Sequence, residues 1–236
     1  MRAFLVTWRA IRSYYEDLFL LVGMSGLWWI VGGFFVGGAV VLGWPVLQVG
    51  GPWWLMPLAP LLAIPAGPAT AALANVVRRA AREQHVDRSY FWEGLRTYWR
   101  RALALSAISM TVLSLLLLNL LFYLAQPNAL LRATVVLWLY LVVAWLSAQI
   151  YLYPVLIGLE QPTVLDALRI SIMLVFANPF FSIVLVVLAI ALTALSVGLA
   201  ILLLLAWPAL MLLMGEHASK LMVERIGGPK KAKRKK

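Results

Sequence analysis

Few residues in this chain could do chemistry. Its two histidines, His85 and His217, lack a second histidine or a His/acid pair at metal-ligand spacing. Glu216 adjoins His217, but neighbouring helical side chains point about 100° apart and chelate poorly together. Cysteine is absent, which removes disulfides, thiolate metal sites and a thiol nucleophile. No Gly-x-Ser-x-Gly, phosphate-binding loop or HExxH pattern occurs. Catalysis needs positioned acid, base or nucleophilic groups, so the sequence predicts a non-enzymatic protein with no cofactor and no metal.

The remaining polar chemistry is uncharged and sits in apolar surroundings. Asn75, Asn119, Gln149 and Thr193 are its main carriers. An ionisable side chain at mid-membrane costs about 2.5–3.5 kcal/mol on insertion scales and persists for function. The interiors of the apolar spans contain no Asp, Glu, Lys, Arg or His, which argues against ion-coupled transport but leaves room for a path for a neutral solute. Four prolines, Pro57, Pro60, Pro65 and Pro68, interrupt the second apolar segment. Each removes a backbone donor and crowds the preceding turn, so a broken or kinked segment is expected, with a clean helix from Pro68. Broken helices can line a transporter site. The residues for such a site, or for a kink packed inside the bundle, are Pro65, Gly67, Pro68, Thr70, Asn75, Asn119 and Gln149.

The elements that must position these residues are membrane spans. Hydrophobic residues make up 64% of the chain and charged ones 12%, with mean hydropathy +0.92. Several uncharged runs exceed the roughly 20 residues needed to cross a hydrocarbon core. The predicted fold is all-α, a polytopic transmembrane bundle of about six spans near 18–42, 55–77, 102–125, 129–157, 179–196 and 199–215. An interfacial segment, 1–17, precedes them and a basic tail, 216–236, follows. The run 179–215 would be roughly 55 Å long as a single helix, so it reads as two short spans turning near Ser196–Gly198. Six spans place nineteen of the twenty basic residues on one side, leaving only Arg132 on the other. Because cytoplasmic loops collect Lys and Arg, both termini are expected in the cytoplasm of a multi-pass plasma-membrane protein. This asymmetry accounts for the net charge of +11 without a nucleic-acid partner.

Three further features concern contacts. Gly33 and Gly37 form a GxxxG in a glycine-rich first span, which suits close helix packing within the chain or at a homodimer seam. Seven arginines fall between Arg78 and Arg101. Within Asp87–Arg101, Phe91, Leu95, Tyr98, Trp99 and Ala102 recur at helical spacing, which predicts an amphipathic interfacial helix with Asp87 as its cap. Its Trp92, Arg96, Trp99, Arg100 and Arg101 make a candidate partner-docking face. Finally, Glu93-Gly-Leu-Arg96 and Asp166-Ala-Leu-Arg169 share an acid-x-Leu-Arg pattern, which would fit a parallel repeat of spans two–three and four–five.

The stretch Pro65-Ala-Gly-Pro-Ala-Thr-Ala-Ala-Leu73, the basic residues after Val77 and the aromatic/Arg segment Tyr90–Arg101 together resemble the YesL-like family of bacterial membrane proteins, named as a domain of unknown function. The resemblance covers most of the chain but is sharp only here, and it supplies no catalytic residues. It implies an accessory or scaffold role in carbohydrate uptake, with sugar ABC transporter subunits as partners beside membrane lipids. The alternatives are a passive transporter or channel for a small neutral solute, and a membrane-organising or lipid-binding protein.

Overall fold

The computed structural model describes residues 6–8, 18–39, 53–82, 87–161, 163–198 and 206–226, and all regular structure among them is helical. Helix α1, Leu18–Trp28, loosens into a π-helical turn over Trp29–Gly33 and continues helical to Ala39. A 3-10 helix spans Trp53–Ala66, with Pro57, Pro60 and Pro65 inside it. Prolines disrupt the i→i−4 ladder of an α-helix, and a fourteen-residue 3-10 run is long for that conformation. The backbone becomes α-helical in α2, Gly67–Ala80, whose first turn holds Pro68, where a missing N–H is harmless.

Helix α3, Ser89–Leu124, is one continuous rod of 36 residues, about 54 Å long, joining the aromatic/Arg segment directly to the third span. Asp87 supports its start by accepting from Ser89 Oγ at 2.6 Å and from the Ser89 N–H at 3.4 Å. Short α4, Ala129–Ala133, is capped by Asn128 Oδ1, which accepts from the Leu130 N–H at 2.9 Å. Helix α5, Val135–Gly158, follows after Thr134. Helix α6, Val164–Ala177, is capped by Thr163, whose Oγ1 accepts from the Asp166 N–H at 3.1 Å. It stops at Asn178 before α7, Pro179–Gly198. Helix α8, Trp207–Ile226, runs through Gly215 without a break.

Among the described residues, five helical stretches are long and apolar enough to cross a membrane: Leu20–Ala39, Met56–Ala80, Ser89–Leu124, Ala129–Gly158 and Pro179–Ser196. The chain is thus an all-helical membrane protein. Part of the sixth expected span, 199–215, lies outside the described residues, as do 40–42 of the first. Of the expected interfacial segment 1–17, only residues 6–8 are described, as one helical turn with Val6 buried. Within the expected tail 216–236, residues up to Ile226 are helical and the rest lie outside the described part. Helix α8 starts beside the end of α7, where Trp207 Nε1 donates to Thr193 Oγ1 at 2.9 Å. It finishes beside the end of α2, where Lys220 Nζ donates to the Ala81 carbonyl at 3.2 Å. It therefore returns toward the arginine-bearing end of the bundle.

Helix α2 is the centre of the bundle. Only Pro68, Thr70, Arg78 and Arg79 of its residues are not buried, and it packs on α1, α3, α5 and α8. Lipid tails are as apolar as leucine, so close van der Waals approach rather than water exclusion drives such packing, and small residues permit it. A Cβ on Gly67 would lie 2.7 Å from the Ala102 carbonyl of α3, and one on Gly94 would lie 2.9 Å from Asn75 Cβ of α2. In the first span, a Cβ on Gly32 would lie 2.7 Å from Ala69 Cβ of α2, so Gly32 makes the close approach to that helix. Gly33 faces the ring of Trp29 in its own helix, and Gly37 faces open space. Pro154 in α5 leaves the Ile150 carbonyl without its intrahelical donor. Gly215 of α8 packs against that same oxygen, with no room for a side chain.

Candidate functional site: an apolar cavity and a basic pocket

The first concavity is a cavity of about 600 Å³ within the apolar part of the bundle. The 3-10 segment supplies Met56, Ala59, Pro60 and Ala63, and α2 supplies Gly67 and Thr70. Ser106 and Met110 come from α3, Gln149 and Tyr153 from α5, and Trp207, Pro208 and Met211 from α8. Alanines in the prolyl segment leave the space, and three methionines give it adaptable walls.

Its polar atoms are largely engaged with protein. Trp28 Nε1 donates to Thr70 Oγ1 at 3.0 Å, and Thr70 Oγ1 donates to the Ala66 carbonyl at 2.9 Å. Gln149 Nε2 donates to Ser109 Oγ, and Trp207 Nε1 is engaged by Thr193. What faces the space is chiefly hydrocarbon and thioether.

Of the residues read as a solute or kink site, Gly67, Thr70 and Gln149 line this cavity together. Pro65 is exposed, and Pro68 sits in the first turn of α2. Asn119 Nδ2 donates to the Leu115 carbonyl of its own helix at 2.8 Å, outside the cavity. Asn75 lies elsewhere, in the second concavity.

That second concavity, about 300 Å³, is lined by Asn75, Arg78, Arg79, Arg82, Tyr98 and Ile157. Spacing of 3, 1 and 3, visible in the sequence, puts Asn75, Arg78, Arg79 and Arg82 on one helical face. Asn75 Nδ2 donates to the Tyr90 carbonyl at 2.9 Å, tying α2 to the first turn of α3. Arg78 donates from Nη1 to the Ile157 carbonyl and reaches Gly158 from Nη2 at 3.5 Å. It thereby serves carbonyls that the end of α5 leaves without donors. Arg79 pairs with Glu93 at 3.2 Å and stacks 3.7 Å over the Tyr90 ring. Behind them, Glu216 is 5% exposed and 3.7 Å from Lys220. Burial pushes its carboxyl above the usual range, while Lys220, Arg78 and Arg82 pull it back. Burial likewise holds the Lys220 ammonium below its usual range, opposed by Glu216.

Along α3, Trp92, Arg96, Trp99, Arg100 and Arg101 are all exposed, and Arg100 lies 5.1 Å over Trp99. Of the row at helical spacing, Phe91 and Ala102 are buried, Leu95 and Tyr98 half-buried and Trp99 46% exposed, and Gly94 and Leu105 also face the bundle. Among the described residues, no three His, Cys, Asp or Glu side chains gather as metal ligands.

Fold and concavities together define a helical membrane protein with an apolar cavity among its spans and a basic pocket at one end. Residues 46–120, less than half of the chain, match the family described as "Protein of unknown function, DUF624". The matched stretch holds the Pro65–Leu73 element, the basic pocket's arginines and the exposed Trp/Arg row. No curated protein and no solved structure matches the chain.

Proposed function

We propose that the protein is a non-enzymatic membrane component that takes an apolar or amphiphilic ligand from the bilayer into the cavity beside the 3-10 segment. One observation carries this reading: the polar atoms around the cavity are largely bonded within the protein. Its size falls in the range of about 300–1,000 Å³ typical of small-molecule sites. A neutral sugar would bring many hydroxyls, and each one left without a partner costs about 1–3 kcal/mol. The lining therefore favours the lipid-binding reading over a channel for a neutral solute.

The test is to purify the full chain with extensive detergent washing and to identify retained lipids by mass spectrometry. An Ala63→Trp variant fills the cavity. The wild type should retain a ligand distinct from bulk lipid and A63W should lose it. Equal retention in both, or saturable flux of a neutral sugar through reconstituted liposomes, would overturn the reading.

A second reading concerns partners and rests on the exposed Trp92, Arg96, Trp99, Arg100 and Arg101 row together with the resemblance to the YesL-like family. In it, the arginine end faces the cytoplasm, as the positive-inside tendency favours. The row then docks on a subunit of a sugar ABC transporter, giving the protein an accessory role in carbohydrate uptake. Crosslinking in native membranes should recover such a subunit, and recovery of none above background contradicts it.

A further inference from the structure

We infer that the pocket formed by Arg78, Arg79, Arg82, Tyr98 and Asn75 binds a phosphate-bearing anion, supplied either free in solution or on a lipid headgroup. The inference stands apart from the cavity reading and survives its failure. Three guanidiniums line about 300 Å³, and each offers five N–H donors in a planar fork suited to phosphate oxygens. Existing bonds engage few of these donors. Arg78 serves the carbonyls of Ile157 and Gly158, and Arg79 uses one nitrogen on Glu93. The Arg82 side chain makes no hydrogen bond or ion pair among the described residues.

Charge points the same way. Among the described residues, Arg79 pairs with Glu93 and Lys220 with Glu216, which leaves Arg78 and Arg82 without a carboxylate in ion-pair contact. Arg78 and Arg82 also repel one another, and an anion between them would relieve that. Phosphate suits the site better than carboxylate does, because its additional oxygens can meet three separate forks at once. The Tyr98 hydroxyl could donate a further bond.

Thermal unfolding of the full chain in a non-ionic detergent tests this. Inorganic phosphate should raise Tm saturably, and chloride at matched ionic strength should not. Arg82→Ala spares the bonds that Arg78 and Arg79 make to the protein, and it should weaken the apparent affinity about tenfold. Glu216→Gln removes a competing negative charge and should tighten it, a second check should R82A fail to fold. Short-chain phosphatidylglycerol, compared with phosphatidylcholine of the same chain length, separates the two sources. Saturation at concentrations at least tenfold below those of phosphate, lost in R82A, assigns a lipid headgroup. A response to phosphate of equal or greater affinity assigns a soluble ligand. No saturable shift with either probe, or R82A matching the wild type, overturns the inference.

Discussion

Arg78 meets two requirements at once, because the end of α5 needs donors for its last carbonyls and the basic pocket needs a wall. Lys220 does the first of these jobs for the Ala81 carbonyl at the end of α2. Removing Arg78 leaves carbonyls of α5 without their donor. Arg78→Met should therefore destabilise the fold by about 1–3 kcal/mol, whereas Arg82→Ala should leave the unliganded Tm nearly unchanged. Thermal melts of the two variants check this, and equal loss in both would contradict the division of roles. Glu216 adds a pH dependence with a definite sign. Its folded carboxyl sits above the ordinary range, chiefly through burial, so the folded chain holds that proton more tightly than the unfolded chain does. Stability should rise as pH falls through the raised pKa and level off once the pH is below the ordinary carboxyl range. Lys220, held below its ordinary range by burial, acts in the opposite sense on the alkaline side. Comparing Tm against pH for wild type and Glu216→Gln isolates the carboxyl, and coincident profiles would contradict the assignment. Of these roles, the sequence exposes residue types and their spacing. The helical spacing of Asn75, Arg78, Arg79 and Arg82 was legible, but which carbonyls the arginines serve depends on α5 ending nearby.

Between elements, contact is made where glycine or proline changes the backbone. Gly67, Gly94 and Gly215 each sit against a neighbouring helix with no room for a Cβ, while Gly37 faces open space. Gly67→Ala and Gly215→Ala should each cost about 1–3 kcal/mol through overpacking, and Gly37→Ala should be nearly neutral. Unfolding of the three variants side by side tests this ranking. The proline pattern marks the change from an irregular segment to a regular helix within one residue, because proline acts locally. It did not specify a 3-10 helix for the irregular part. The GxxxG pair was a weaker guide, because spacing alone cannot say which glycine meets another helix. Gly32 does so against Ala69, and its neighbour Gly33 meets Trp29. The two acid-x-Leu-Arg segments both lie on helices, but α3 continues unbroken into its span while α6 stops at Asn178 before Pro179. Proline is disfavoured inside a helix and restricts the residue before it, which gives the second segment a joint that the first lacks.

For the molecule as a whole, the bilayer explains what a water-soluble protein would not tolerate. Leu115, Phe122, Val136, Leu137, Phe180, Val187 and Ile190 are all exposed, as expected of surfaces that face lipid. The all-helical membrane class was legible because twenty-residue apolar runs have few other uses. The cavity was only half legible: Gly67, Thr70 and Gln149 were named, but Asn75 and Asn119 lie elsewhere, since polarity does not reveal which side chains are already bonded. The path of α8 back toward Ala81 makes a topological prediction. The chain has no cysteine, so single cysteines can be introduced cleanly. Ala81→Cys and Ala232→Cys should react with an impermeant maleimide from one side of the membrane and Gln126→Cys from the other. Reaction of Ala81→Cys and Ala232→Cys from opposite sides would contradict this path. Occupancy of the cavity by an apolar ligand can be read by photolabelling with a lipid that carries a diazirine in its acyl chain. If the cavity is occupied, labelled peptides should concentrate at Met56–Ala66 and Trp207–Leu212, and Ala63→Trp should abolish that labelling. Labelling confined to the lipid-facing surfaces around Leu115, Phe122, Val187 and Ile190, and unchanged in A63W, would contradict it.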